Sequence, residues 1–251
     1  MTQKFKLAVL IGTRPGIVKM APVFHAGKER GHEVILIHSG QHYSEAMDSD
    51  IRTDVGLPNP QFLFLRPNGC VKHGQQTAFM LTKIEEALDD CRPDLFFVCG
   101  DANTNLAGAL ACRKLGIPLA HVEAGLRSND WRMPEEHNRR MIDHISDILF
   151  APTYKCKQNL LNESVLGQIE IVGNTVADSV LRYAEDAENE REEVLVTLHR
   201  EENVDDPKML RFLLRSVGEI LEHSGKHGIF LVHPRTKKRI IESKVINNFS
   251  N

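Results

Sequence analysis

Short apolar runs alternate with longer amphipathic segments along most of this chain, and that rhythm leaves few folds open. A run of four to six apolar residues is the length of a buried strand, and a segment with apolar residues three or four apart is one face of a helix. Repeated in turn, they make βαβ units, which close only around a parallel sheet covered by helices. The pattern predicts strands at 7–11, 33–38, 94–99 and 119–122, with a weaker strand at 61–65 and short ones at 147–150 and 169–172. Helices are expected at 17–30, 73–90, 103–115 and 135–145. In the second of these, Phe79, Leu81, Ile84 and Leu88 supply the apolar face.

After the turn Gly173-Asn174-Thr175 the sequence becomes strongly charged, through a run at 185–193 that reads as a solvated helix face or a linker. A new βα pattern then starts, with strands at 193–198 and 229–232 around a helix at 207–223. The expected organisation is therefore a first α/β domain over 1–175 and the beginning of a second over 176–251. Two strands are too few for a doubly wound sheet, so the second domain is expected to be incomplete in this chain.

Composition narrows the partners. The net charge of −3 gives no reason to expect a nucleic acid or an anionic membrane as the main partner, so functional cations should be few and local. No apolar run reaches the ~20 residues a membrane helix needs, and the N-terminus lacks signal-peptide anatomy. Cys70, Cys91, Cys99, Cys112 and Cys156 are scattered and never spaced as C-x-x-C, which reads as reduced thiols in a cytoplasmic protein. Cys99, inside an apolar run, reads as a small core residue.

Open parallel sheets bind ligands outside the carboxyl ends of their strands, so those ends are where chemistry is sought. The first strand runs into Gly12-Thr13-Arg14-Pro15-Gly16 with Lys19 beyond. Two readings stand: an anion site at a helix N-terminus, and a tight turn with solvated cations. The loop is neither GxGxxG nor a Walker loop. Asp101, after the strand at 94–99, reads either as a helix N-cap or as a functional carboxylate. His121 and Glu123 lie two apart and are expected on one strand face, a metal pair being the less favoured use. Glu135 and Glu136 open a helix, where acids are common for dipole reasons alone. Further on, His199-Arg200 and His233 with Arg235 follow successive strands and suggest a second anion pocket.

Taken together, these motifs resemble the non-hydrolysing UDP-N-acetylglucosamine 2-epimerases. The resemblance rests on Gly12-Thr13-Arg14-Pro15 with Lys19-Met20-Ala21-Pro22, Gln41-His42, Gly100-Asp101, His121 through Arg127, Pro134-Glu135-Glu136 with Asn138-Arg139, Gly173-Asn174-Thr175, His199-Arg200 with Glu202-Asn203, and His233-Pro234. It implies two facing Rossmann-like domains of the GT-B kind, with a UDP-sugar between them and a homodimer when full length. It also implies that the segment clasping uridine and ribose lies beyond Asn251.

The implied chemistry is elimination and re-addition of UDP through 2-acetamidoglucal, with no cofactor and no metal. Asp101, Glu123 and Glu135 are implied as the acid/base groups, and His199 as a further catalytic residue at the diphosphate. Arg14, Lys19, Arg139 and His233 are implied as substrate-binding. Mutual repulsion between carboxylates at one centre is expected to set one apart as the acid. The short link from Glu123 to Pro134 is similar to that of relatives acting on UDP-2,3-diacetamido-glucuronate, the alternative substrate, and to that of archaeal members of the family. A hydrolysing epimerase and a truncated, non-catalytic binding relative are the other readings.

Overall fold

The computed structural model describes residues 3–41, 45–65, 72–183 and 192–243. His42, Cys70 and the stretch 185–191 of the charged run lie outside the described residues. The chain divides into two units, Met1–Glu185 and Asp186–Asn251.

The first unit is built on β1 (Lys6–Ile11), α1 (Arg14–Glu29), β2 (Glu33–His38), α2 (Glu45–Asp54), β3 (Phe62–Leu63), α3 (His73–Cys91) and β4 (Leu95–Cys99). It continues through α4 (Asn103–Lys114), β5 (Leu119–Val122), α5 (Pro134–Ile145), β6 (Ile148–Ala151), α6 (Tyr154–Asn162), β7 (Gln168–Ile171) and α7 (Thr175–Tyr183). All seven strands are parallel, in the order β3-β2-β1-β4-β5-β6-β7.

The alternation of strand side chains sorts the apolar residues into two cores. Ala8, Leu10, Ile35, Ile37, Phe96 and Val98 face α3 and α4 with Ile84, Leu88 and Ala107. Val9, Ile11, Val34, Leu36, Phe97 and Cys99 face α1 with Ile17, Met20 and Phe24. Both faces of the central strands are buried, which is why they read as unbroken apolar runs. Strand order reverses between β1 and β4, and a crevice forms outside the strand ends there. Glycine is required at that point for packing: a Cβ on Gly12 would lie 2.0 Å from Ser39 Oγ and 2.6 Å from Thr104 Oγ1. Those two hydroxyls are hydrogen-bonded to each other at 2.7 Å.

Helix α1 starts earlier than its apolar period suggests. Thr13 caps it by accepting from Gly16 N–H at 3.3 Å, so Arg14-Pro15-Gly16 is its first turn. Pro22 lies inside α1, where its missing N–H leaves the carbonyl of Val18 without a helical donor. Ser179 Oγ, from α7, donates to that carbonyl at 2.6 Å. This bond pins α7 to α1, so α7 belongs to the first unit, and the division falls after it, beyond the expected position near 175.

The second unit comprises β8 (Glu193–Val196), α8 (Glu201–Val204), α9 (Pro207–Ser224), β9 (His227–Phe230) and α10 (Pro234–Ser243). β8 and β9 form a two-stranded parallel sheet, and Val204, Leu210, Leu214 and Ile240 make a small core of their own. Among the described residues no helix is long and apolar enough to cross a membrane.

Gly125 tests the packing behind β5. Its φ is +80°, and a Cβ there would lie 2.4 Å from the carbonyl oxygen of Cys156 and 2.9 Å from Leu160 Cγ. Gly125→Ala is therefore expected to destabilise the fold by about 2–4 kcal/mol, combining backbone strain with overpacking. Urea denaturation measures it, and a change under ~0.5 kcal/mol would mean the site relaxes freely.

Candidate functional site

The crevice at the sheet reversal is a cleft of about 350 Å³. Its lining includes Gly16 and Lys19 from α1, Cys99 and Asp101 at the end of β4, Glu123 after β5, and Glu135 at the start of α5. Gln41, His73, Gln76 and Asn103 add a wall without carboxylates.

Glu123 follows the last residue of β5 with φ +69°, a left-handed conformation that is strained for any residue with a side chain. The turn has a chemical consequence. Strand alternation would place Glu123 beside His121; the left-handed residue instead swings the carboxylate to α1, on the other side of the sheet. There Lys19 Nζ contacts Oε1 at 2.7 Å and Oε2 at 2.6 Å, and Asn174 Nδ2 donates to Oε1 at 3.1 Å. Gly100, with φ +76°, leaves room: a Cβ there would lie 3.1 Å from Glu123 Oε2.

Asp101 is not the N-cap of α4, whose capping position is Ala102 and carries no side-chain cap bond. The Asp101 carboxylate receives Arg139 Nη2, while Asn138 Nδ2 donates to its carbonyl at 2.9 Å. The expectation for Arg139 changes accordingly. It is absent from the lining, and its guanidinium joins Asp101 to Glu136, so it backs the cleft from behind. Asp101 and Glu123 thus each have a cation of their own, in place of the simple mutual repulsion expected from sequence.

Behind the lining, acids and bases alternate in a closed course. From Asp101 it passes to Arg139, Glu136, Arg140, Glu163, Arg127, Asp143 and His121. His121 Nε2 then lies 3.0 Å from the carbonyl of Gly100, the residue before Asp101. Arg127 holds Glu163 through two parallel bonds of 2.8 and 2.7 Å. Burial alone would raise the carboxyl pKa of Asp143, but His121 and Arg127 hold it below its usual value. Burial opposes ionisation of Glu136 too; bonds from Ser128 N–H and Oγ, Arg140 and Arg139 outweigh it and bring the pKa down to about 2.

Cys99 lies on the floor of the cleft, and burial, with Glu123 nearby, pushes its thiol pKa well above the usual value. It serves as a small core residue in this cleft. Among the described residues, no group of three or more His, Cys, Asp and Glu gathers as a metal site would require.

Arg14 is exposed on the first turn of α1 and is not in the lining. In the second unit, the rings of His199 and His233 lie 5.8 Å apart, brought together by the ends of β8 and β9. Arg235, expected to share their pocket, is engaged elsewhere: it binds Asp205 at 2.5 Å and Glu201 at 2.6 Å. Asn174, in a turn, and Glu136, a first-turn acid, belong to the motifs that carry the resemblance, but the sequence assigns neither a role at the site. The signal for Asn174 was its place after the last strand of the sheet, where ligands and their partners collect.

The UDP-N-acetylglucosamine 2-epimerase family model matches residues 25–251. The chain belongs to that family. A UDP-N-acetylglucosamine 2-epimerase of Methanocaldococcus jannaschii is 45% identical over 94% of this chain and 68% of its own length. The crystal structure of the M. jannaschii UDP-GlcNAc 2-epimerase in complex with UDP-GlcNAc and UDP superposes with a TM-score of 0.83, covering 96% of this chain and 70% of that one. A UDP-2,3-diacetamido-2,3-dideoxy-D-glucuronate 2-epimerase of Pseudomonas aeruginosa is 38% identical over 92% of this chain and 68% of its own length. The fold of this epimerase-family chain is therefore the GT-B-like α/β fold of its relatives, and this chain spans a little over two thirds of their length.

The closed course makes a pH prediction. Glu136 has a folded pKa lowered from 4.5 to about 2, so the stability it contributes is present above pH 4.5 and is lost as pH falls toward 2. Glu136→Gln should remove that part of the acid dependence. It should also destabilise the first unit by about 3 kcal/mol at neutral pH, since two guanidinium groups lose a buried partner. Urea titrations between pH 2 and 7 read both effects; parallel curves for the two proteins would exclude this role.

Proposed function

We propose that this chain interconverts UDP-N-acetylglucosamine and UDP-N-acetylmannosamine by elimination and re-addition of UDP. The observation that carries the reading is the cleft itself: Asp101, Glu123 and Glu135 converge from two strand ends and one helix start around a volume suited to a sugar ring.

C2 of an N-acetylhexosamine holds an unactivated proton, so a carboxylate alone cannot remove it. When the C1–O bond breaks, its electron pair leaves with UDP and positive charge develops at C1. The C2 proton is then acidic enough for a carboxylate to take, and the C1–C2 double bond of 2-acetamidoglucal forms. Protonation at C2 from the opposite face, with return of the diphosphate oxygen to C1, gives the other epimer. The reaction needs proton carriers on both faces of the ring and charge stabilisation at the diphosphate. In this reading Asp101 and Glu123 serve the two faces, and Glu135 is the third acid/base group. Lys19 holds Glu123 in place, Arg139 orients Asp101, and Arg14, His199 and His233 act on the diphosphate.

The same cleft favours a neutral sugar. Its charged lining is Lys19, already paired with Glu123, together with Asp101 and Glu135. A uronate carboxylate entering beside these acids would be repelled, and among the described lining residues no arginine stands ready to receive it. This supports the acetamido-hexose over the diacetamido-glucuronate of the P. aeruginosa relative.

Asp101→Asn and Glu123→Gln should each lower turnover at least ~100-fold while leaving UDP affinity within severalfold. Steady-state assays and UDP calorimetry check this, and near-normal turnover in both would remove the pair from the mechanism. Reaction in deuterated water should place deuterium at C2 of the product and of recovered substrate. Epimerisation without label would instead indicate return of the same proton.

A further inference from the structure

Glu123 is held by two side chains that reach it from neighbouring helical elements. Lys19 comes from α1, and Asn174 from the residue immediately before α7. Those two helices are fixed to each other by the Ser179 hydroxyl on the carbonyl that Pro22 leaves free. Lys19 and Asn174 are thus two prongs of one rigid piece.

The orientation of the Asn174 amide is settled by its own backbone. Its Oδ1 accepts from Val176 N–H at 3.0 Å, and its carbonyl accepts from Ala177 N–H at 2.9 Å, as at a helix N-terminus. With the amide oxygen committed to α7, the NH2 group is the one turned to Glu123 Oε1 at 3.1 Å. A group with both an oxygen for the helix and an N–H for the carboxylate is what this position requires, and asparagine is the shortest side chain that has both.

We propose that Asn174 is a positioning residue for Glu123, its amide fixing the rotation of the carboxylate that meets the C2 proton. This rests on the reading of Glu123 as an acid/base group. Lys19 alone touches both oxygens nearly equally and so leaves the carboxylate plane poorly defined. The donor on Oε1 singles out one oxygen, leaving Oε2, beside Gly100, as the edge turned to the ring. A misplaced proton acceptor loses rate even when substrate still binds, because proton transfer depends on sub-ångström geometry.

The variants separate the two functions of Asn174. Asn174→Asp keeps the oxygen that caps α7, a position where Asn and Asp serve about equally. It replaces the donor by a carboxylate against Glu123. Among the described residues, the charged or titratable groups lining the cleft with Glu123 are Lys19, Asp101, Glu135, His73 and the Cys99 thiol, to which the variant adds the new acid. Asn174→Ala removes both cap and donor.

In the full chain, Asn174→Asp should lower kcat at least ~10-fold with KM for UDP-N-acetylglucosamine within about twofold, and should move the acid limb of the kcat/KM profile to higher pH. An assay-independent readout comes from the thermal midpoint. Repulsion between two facing carboxylates makes the fold take up a proton more readily, so the stability deficit of the variant should widen as pH rises and close as pH falls. In a Glu123→Gln background that pH-dependent deficit should vanish. The proposal is overturned if Asn174→Asp matches the parent in kcat and pH profile while Glu123→Gln is inactive. It is overturned equally if the deficit persists without Glu123, which would make Asn174 a helix cap alone. A Glu123→Gln protein with normal turnover would fail the acid/base reading itself, while the thermal cycle would still report whether the contact exists.

Discussion

The closed course of acids and bases behind the cleft is the constraint on which the site depends. It joins α5, the end of α6, the link between β5 and α5, and the turn after β4. Glu136, Asp143 and His121 are fully buried, so each would be heavily penalised without its partners. Hydrogen bonds from the backbone of Ser128 and Gly125 complete the satisfaction of Glu136 and Asp143. Such an arrangement favours one geometry sharply, because moving any member strands a charge next to it. Asp101 is the member that reaches the cleft, so its orientation is inherited from the whole course.

Glu123 is positioned by different means. Its left-handed backbone is an outlier of a kind that persists only when its surroundings over-determine it. The surroundings here are α1 and α7, joined by a bond that exists because a proline interrupts the helical ladder of α1. One carboxylate is thus set by an electrostatic network on one side of the sheet and the other by a two-helix clamp on the other side.

Much of this was legible in the residues. The apolar runs at β1, β2, β4 and β5 announce central strands because both their faces are buried, and the search at strand ends led to Lys19, Asp101, Glu123 and Glu135, which all line one cleft. Other features were hidden for physical reasons. Helices α2 and α6 leave little trace in the apolar pattern: α2 is mostly polar, and α6 shows only Cys156 and Leu160 as its buried pair. α7 and α10 span only nine and ten residues, so their apolar faces are too short to stand out from the pattern. The strand at β9 lies two residues before its expected start, since Gly228 does not look like strand but packs against Leu221. Periodicity also misdirected Glu123 toward His121, because a left-handed residue at a strand end leaves no mark in the pattern. Only the resemblance implies Arg139 as a substrate ligand, whereas its contacts are decided by Asp101 and by the buried Glu136 three residues earlier.

The course of ion pairs lies mostly behind the cleft, and this separates what keeps the fold from what meets the substrate. Gln76, Ala102 and Pro134 line the cleft without taking part in the course. Changes at those positions can alter the size and polarity of the wall while Asp101 keeps its orientation. The same division means that a change of wall side chain can alter what the cleft accepts without removing a partner from any buried charge.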